Sequence, residues 1–147
     1  MNNNKDTLQD TFMQVVRLNF KRAYELLTKI DIHPGQQHLL MHLAEDDGQS
    51  LKELTKKLEI KPATVTVMVQ RMEKSGLVVK KPDEKDQRVS RIFITAKGHD
   101  ICKKIEKIIE QMERECFEGF TVEEKIIFRR LLLQMGNNIE EKMKQEE

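Results

Sequence analysis

A chain of 147 residues with a net charge of +1, 35% charged residues, 5% aromatics and no Trp has the composition of a soluble, mostly helical protein with an aliphatic core. Its longest apolar runs, such as Leu131-Leu132-Leu133, are too short to span a bilayer, and the polar segment Met1-Asn2-Asn3-Asn4-Lys5-Asp6 has no apolar stretch behind it to serve as a signal peptide. No membrane partner and a cytoplasmic setting are therefore expected, with Cys102 and Cys116 as reduced thiols and not a disulfide framework.

In chain order, apolar residues at helical spacing (Leu8, Phe12, Val15, Val16, Ala23, Leu26, Leu27, Ile30) predict a first helix over residues 8–30, and Phe20 and Tyr24 widen its apolar surface. Asp31 to Gly35 breaks it. Pro34 then opens a second helix that buries Leu39, Leu40 and Leu43 and ends at Asp46-Asp47-Gly48. Ser50 with Glu53 three residues on is a capping box for a third helix, whose inner stripe is Leu51, Leu54 and Leu58. After the glycine-free turn Glu59-Ile60-Lys61, Pro62 starts a fourth helix with Val65, Met68, Val69 and Met72 on its buried face, stopped by Gly76 as a left-handed C-cap.

Residues 77–81 and 89–95 have strand composition and flank a polar loop over 82–88. Two strands alone are marginal in water, so this hairpin must lean on the helices. After Gly98 a fifth helix carries Ile101, Ile105, Ile108, Ile109, Met112 and Cys116. Thr121 with Glu124 caps a sixth that carries Ile127, Leu131, Met135, Ile139 and Met143. Along this order the charge is uneven: residues 1–47 carry −2, residues 48–91 carry +5 and residues 92–147 carry −2. A basic middle between acidic ends suits a confined polyanion-binding surface, although a chance excess of lysine on a solvated face has the same signature.

Within the basic middle, Asp86-Gln87-Arg88 is followed by Ile94-Thr95-Ala96-Lys97-Gly98, and both come after the helix-to-strand run from Ala63 to Val78. In this order, with helices on both sides, the chain resembles the MarR family of bacterial transcriptional regulators over nearly its whole length. The resemblance implies a mainly α fold with a small β-hairpin wing: a winged helix-turn-helix of six helices, assembled as an intertwined homodimer. It places a helical dimerisation region at residues 1–32 and 96–147 and the winged helix-turn-helix at 33–95, within one compact chain. It also implies a repressor that binds a pseudo-palindromic double-stranded DNA operator and is released by a small aromatic or amphipathic effector. The recognition helix would be residues 62–75, in the major groove, and the wing residues 80–91, in the minor groove.

The residues themselves say which groups suit DNA. With the buried face of the fourth helix fixed, the opposite face presents Ala63, Thr64, Thr66, Val67, Gln70 and Arg71. Thr64 and Thr66 suit phosphate or bases, Val67 suits a thymine methyl and Gln70 suits adenine, unless it is merely solvated. Arg71 suits a phosphate or an acidic side chain within its own subunit. Val67 departs from the family's pattern, where many members have a guanine-reading arginine, so specificity is expected to lean on thymine methyls and DNA shape. Arg88 at the hairpin tip suits a narrow minor groove, and Asp86 would hold the loop or aim Arg88. A plain surface ion pair is the blander reading of those two. Lys80, Lys81, Lys85 and Arg91 are expected to attract phosphate, and Ser50 and Lys61 to anchor the DNA backbone. Two heads about one DNA turn, roughly 34 Å, apart would read two half-sites.

Other clusters carry less. His38 and His42 share a helix face, with His33 nearby, but no third and fourth metal ligand can be named, so packed or solvated histidines and no cofactor are expected. Cys102 and Cys116 lie on one helix about 21 Å apart along its axis and cannot bridge within it. The resemblance implies an effector cleft between the dimer helices and the reading head, with Tyr24, His38 and His42 as candidates that no spacing sets apart from core residues. The chain has no glycine-rich phosphate loop, no Ser/His/Asp ordering in a recognisable context and no metal quartet, which argues against an enzyme. The alternatives are a winged-helix protein-interaction module, or a metal- or redox-responsive regulator of the same fold.

Overall fold

Thr7 opens the first helix, α1 (Leu8–Thr28), by a capping box: its hydroxyl accepts the Asp10 N–H at 3.1 Å and its own N–H donates to the Asp10 carboxylate at 3.2 Å. A computed structural model describes residues 7–146, so the Met1–Asp6 segment read above as no signal peptide lies outside the described residues, as does Glu147. Ile30 falls beyond the end of α1, because Asp31 at φ 57° turns the chain left-handed and sends Ile32 into the core. Then follow α2 (Pro34–Glu45), β1 (Gln49–Ser50), α3 (Leu51–Leu58), α4 (Pro62–Lys74), β2 (Val78–Pro82), β3 (Ser90–Ile94), α5 (Ala96–Cys116) and α6 (Val122–Glu146).

The sheet has three antiparallel strands in the order β1-β3-β2, one strand more than the expected hairpin. The added strand pairs Gln49 with Ile92 and Ser50 with Arg91, which is how the hairpin leans on the helix-turn-helix. The glycine-free turn after α3 works because Glu59 itself adopts φ 53°. Helix α5 begins at Ala96, two residues before Gly98, because the Thr95 hydroxyl accepts the Gly98 N–H at 3.0 Å as an N-cap. The same hydroxyl donates to the Gly76 carbonyl at 2.7 Å, tying the start of α5 to the end of α4.

Leu27, Ile32, Leu39, Leu40, Leu43, Leu54, Val65, Val69, Met72, Val78, Ile92 and Ile105 form one buried cluster that joins the helix-turn-helix to the sheet. The described residues form two compact units that divide between Glu110 and Gln111, inside α5. The second unit holds Phe117, Phe120 and Phe128 edge to face, with ring centroids 5.6, 6.0 and 6.1 Å apart. Helix α6 has no buried residue, and Ile127, Leu131, Ile139 and Met143 of its expected stripe are exposed. On α1, Leu8, Val15, Leu18, Phe20 and Tyr24 are exposed likewise. Among the described residues no helix is long and apolar enough to cross a membrane.

Candidate nucleic-acid interface

Helix α4 is divided lengthwise. Val65, Val69 and Met72 are fully buried and Met68 half-buried, while Ala63, Thr64, Val67, Gln70 and Arg71 face water, Val67 at 46% exposure. A large aliphatic side chain left that open on an otherwise polar strip is suited to a methyl-bearing partner. Thr66 departs from expectation. It is half-buried and its hydroxyl donates to the Pro62 carbonyl one turn back at 3.0 Å, so its only donor is already engaged. Arg71 has no ion-pair partner among the described residues, so the intrasubunit pair is not formed. Lys61 is the exposed N-cap residue of α4, beside the positive end of the helix.

Ser50 accepts the Glu53 N–H at 3.2 Å and donates its own N–H to the Glu53 carboxylate at 2.7 Å. These bonds from Ser50 hold the Glu53 carboxyl below the usual range. The hydroxyl thus takes part in the capping box of α3.

The wing turn is built by a residue that the sequence reading passed over. Asp83 Oδ1 accepts the N–H groups of Lys85 at 2.8 Å and Asp86 at 3.0 Å, while Oδ2 takes the Arg91 Nε–H. The Arg91 guanidinium, then the Asp86 and Lys85 amides, hold the Asp83 carboxyl down to about 2. An aspartate two and three residues ahead of the amides it binds is an Asx-turn signature, the one signal that could have found it. Asp86 Oδ1 accepts the backbone N–H of Arg88 at 3.0 Å and the Asp86 carbonyl accepts the Val89 N–H at 2.9 Å, so its bonds go to the loop backbone and not to the Arg88 guanidinium. The Arg88 side chain is exposed and without an ion-pair partner among the described residues.

The remaining cations divide. Lys85 is exposed at the turn. Lys80 pairs with Glu73 at 3.5 Å, and the Lys81 ammonium stands 5.3 Å from the Phe93 ring centroid. Arg91, grouped by sequence with the phosphate-attracting side chains, is half-buried. Its guanidinium donates to Asp83, to the Gly48 carbonyl at 2.9 Å and to Glu53 at 3.4 Å. A fork with three acceptors in its own chain is a structural element first.

The other candidates do not converge. His38 is exposed and His42 half-buried, with the His42 Nε2 buried and unpartnered, and among the described residues no group of three or more His, Cys, Asp or Glu is placed to hold a metal. Burial pushes the Cys102 thiol up, as suits an inert core cysteine, whereas Cys116, read from sequence as an apolar position, is exposed. The Tyr24 ring centroid lies 6.1 Å from that of His33. A cleft of about 410 Å³ between the start of α2 and α4 is lined by His33, Gly35, Gln36, Ala63, Thr64, Val67, Met68 and Arg71; Tyr24, His38 and His42 are not part of it.

Comparison with known proteins agrees with this geometry. The sequence profile of the MarR family matches residues 32–90, from the last core residue before α2 to the start of β3. The HTH-type transcriptional regulator YsmB of Bacillus subtilis is 27% identical over 135 residues, which is 92% of each chain. A MarR family protein from Bacillus stearothermophilus superposes with a TM-score of 0.75 at 29% identity, covering 90% of this chain and 92% of that one. A variant of MarR from E. coli, solved in complex with operator DNA, has the same fold, with a TM-score of 0.75, 22% identity and coverage of 87% and 92%.

Proposed function

We propose that the chain is a regulator of the MarR type, a repressor which binds a pseudo-palindromic operator as a homodimer and is released by a small aromatic or amphipathic effector, a reading supported by the match of residues 32–90 to that family's profile. The observation that carries this reading is the division of α4: one face closes the core, and the other holds Ala63, Thr64, Val67, Gln70 and Arg71 out in water. In a helix-turn-helix that strip enters the major groove.

Val67 packs on a thymine methyl, Gln70 addresses adenine and Thr64 meets a base edge or phosphate. Thr66 contributes through its methyl group, since its hydroxyl is engaged within the helix. Arg71, with no ion-pair partner among the described residues, goes to phosphate, as do Lys80, Lys81 and Lys85, while Ser50 and Lys61 anchor the backbone beside two helix N-termini. Arg88 enters the minor groove from a turn that Asp83 and Asp86 hold in shape.

Dimerisation involves residues 1–32 and 96–147, and the reading head is residues 33–95. Support comes from the apolar side chains left in water on α1 and, separately, on α6, which is more than a lone soluble subunit exposes without reason. A homodimer supplies two heads for two half-sites, and its seat on an operator excludes other proteins from the same DNA. The protein works in the cytoplasm, where its DNA is.

The test is in-vitro selection from a random duplex pool, followed by measurement of mass in solution. The reading expects an inverted-repeat consensus, a dimer at micromolar concentration, and a log–log salt slope of about −0.9 for each phosphate neutralised. A monomer that selects no sequence and binds duplex without salt dependence would overturn it and favour a protein-interaction module.

A further inference from the structure

Arg91 sits where three parts of the reading head meet. On its own strand it is paired in register with Ser50 of β1. Its guanidinium reaches the carboxylate of Asp83, which gathers the wing turn, the carbonyl of Gly48 at 2.9 Å, which ends the link from α2, and the carboxylate of Glu53 at 3.4 Å, which caps α3. The same Glu53 oxygen accepts the Ser50 N–H at 2.7 Å. The backbone acceptor is 43 residues away in sequence and the α3 carboxylate 38, so one side chain joins segments that no local turn could hold together.

We propose that Arg91 is a positioning residue: a clamp that fixes the wing turn, and with it Arg88, against the cap of α3, so that wing and helix-turn-helix present to DNA as one rigid unit. The role rests on the DNA-binding reading above, since Arg91 acts through Arg88 and not on the duplex itself. The chemistry suits arginine alone. A planar guanidinium offers N–H groups in several directions at once, whereas the lysine ammonium is a point charge at the end of a flexible stem. Gly48 belongs to the same device. It holds φ 71°, and a Cβ there would come within 2.8 Å of the Phe93 ring, so a bare backbone carbonyl is what this corner accommodates.

The experiment uses the full chain and a duplex obtained by selection with the parent protein, and compares Arg91→Lys, Arg91→Ala, Asp83→Asn, Arg88→Ala and the Arg88→Ala/Arg91→Ala pair. Backbone amide exchange at Lys85, Asp86 and Arg88 is measured without DNA, and circular dichroism confirms that each variant folds. The clamp predicts faster exchange at these amides in both Arg91 variants. It predicts duplex binding weakened about tenfold by Arg91→Lys as well as by Arg91→Ala, the loss expected when a minor-groove arginine is misplaced. It also predicts that the double variant is no weaker than Arg88→Ala alone, because residues acting through one contact are not additive.

A direct phosphate contact predicts the opposite: Arg91→Lys keeps most of the affinity, the two losses add, and Arg91→Ala lowers the salt slope by about 0.9. Any of these, or exchange unchanged in both Arg91 variants, overturns the clamp. If the parent selects no duplex, the DNA-binding reading fails, and the exchange comparison still decides whether Arg91 holds the turn.

Discussion

A side chain of any size at Gly98 would press into the carbonyl oxygen of Leu77. A Cβ built there meets that oxygen first and then Ile94 Cγ1 at 2.6 Å. The glycine is therefore required by the close approach of α5 to Leu77, which leads from α4 into β2, and not by an unusual backbone angle. Because the first obstacle is backbone, it cannot swing aside. Gly98→Ala is expected to destabilise the fold by about 1–3 kcal/mol, the usual range for overpacking a fixed site. Urea denaturation of the variant beside the parent checks it; an unchanged midpoint would mean that α5 shifts without penalty.

Glu59 offers the reverse case. It holds φ 53° at the turn between α3 and α4, a region where a side chain is strained and glycine is not. Glu59→Gly relieves that strain but loosens the unfolded chain, two effects each on the order of 1 kcal/mol. A net gain of about 0.5 kcal/mol is expected, read as a small rise in the denaturation midpoint with no change in the far-ultraviolet spectrum. A fall in stability would show that the Glu59 side chain contributes contacts that outweigh its backbone strain.

Acid should release the wing turn at a defined point. The Asp83 carboxyl is held down to about 2 from an ordinary value near 3.8, first by Arg91 and then by the amides of Asp86 and Lys85. A depressed carboxylate contributes stability above its unfolded value and loses it as pH falls through its folded one. The contribution of Asp83 is thus complete at pH 5 and disappears between about pH 4 and 2. In an amide NMR titration, the Lys85 and Asp86 resonances should move together in that window, and the step should vanish in Asp83→Asn. Movement centred near pH 4 in the parent would show that the pairing with Arg91 is loose in solution.

What could be read from the sequence and what could not separates along a physical line. Helices α2, α3 and α4 announce themselves through apolar spacing, the Ser50/Glu53 box, Pro34, Pro62 and Gly76, all of them signals contained within a few residues. The exposed strip with Val67, Gln70 and Arg71 follows from that spacing alone. Strand β1 is two residues long and has no alternation to detect. Arg91 reads as one more surface cation, because its acceptors Gly48 and Glu53 are brought beside it only by the sheet. Thr66 reads as a free hydroxyl, since nothing in composition shows that it bonds back to Pro62. Asp83 lay inside a loop read only as polar, where residue type does not show which of three carboxylates gathers the amides. Local patterning specifies elements; contacts between distant segments had to be seen.

Val67 is where specificity is most open to test. It is exposed on α4 at 46% and is aliphatic, so its expected partner is the C5-methyl of a thymine. Replacing individual thymines of the selected duplex by uracil removes that methyl and nothing else. One substitution in each half-site should weaken binding by about 1 kcal/mol, roughly fivefold, and the same substitution should have no effect on Val67→Ala. Val67→Arg should move the preference at that base pair toward guanine, whose O6 and N7 accept a guanidinium fork, at a discrimination of about 1–3 kcal/mol. Repeating the selection with Val67→Arg reads this directly. If its consensus matches the parent's at every position, Val67 does not touch a base edge, and the register of α4 in the major groove must differ from the one proposed.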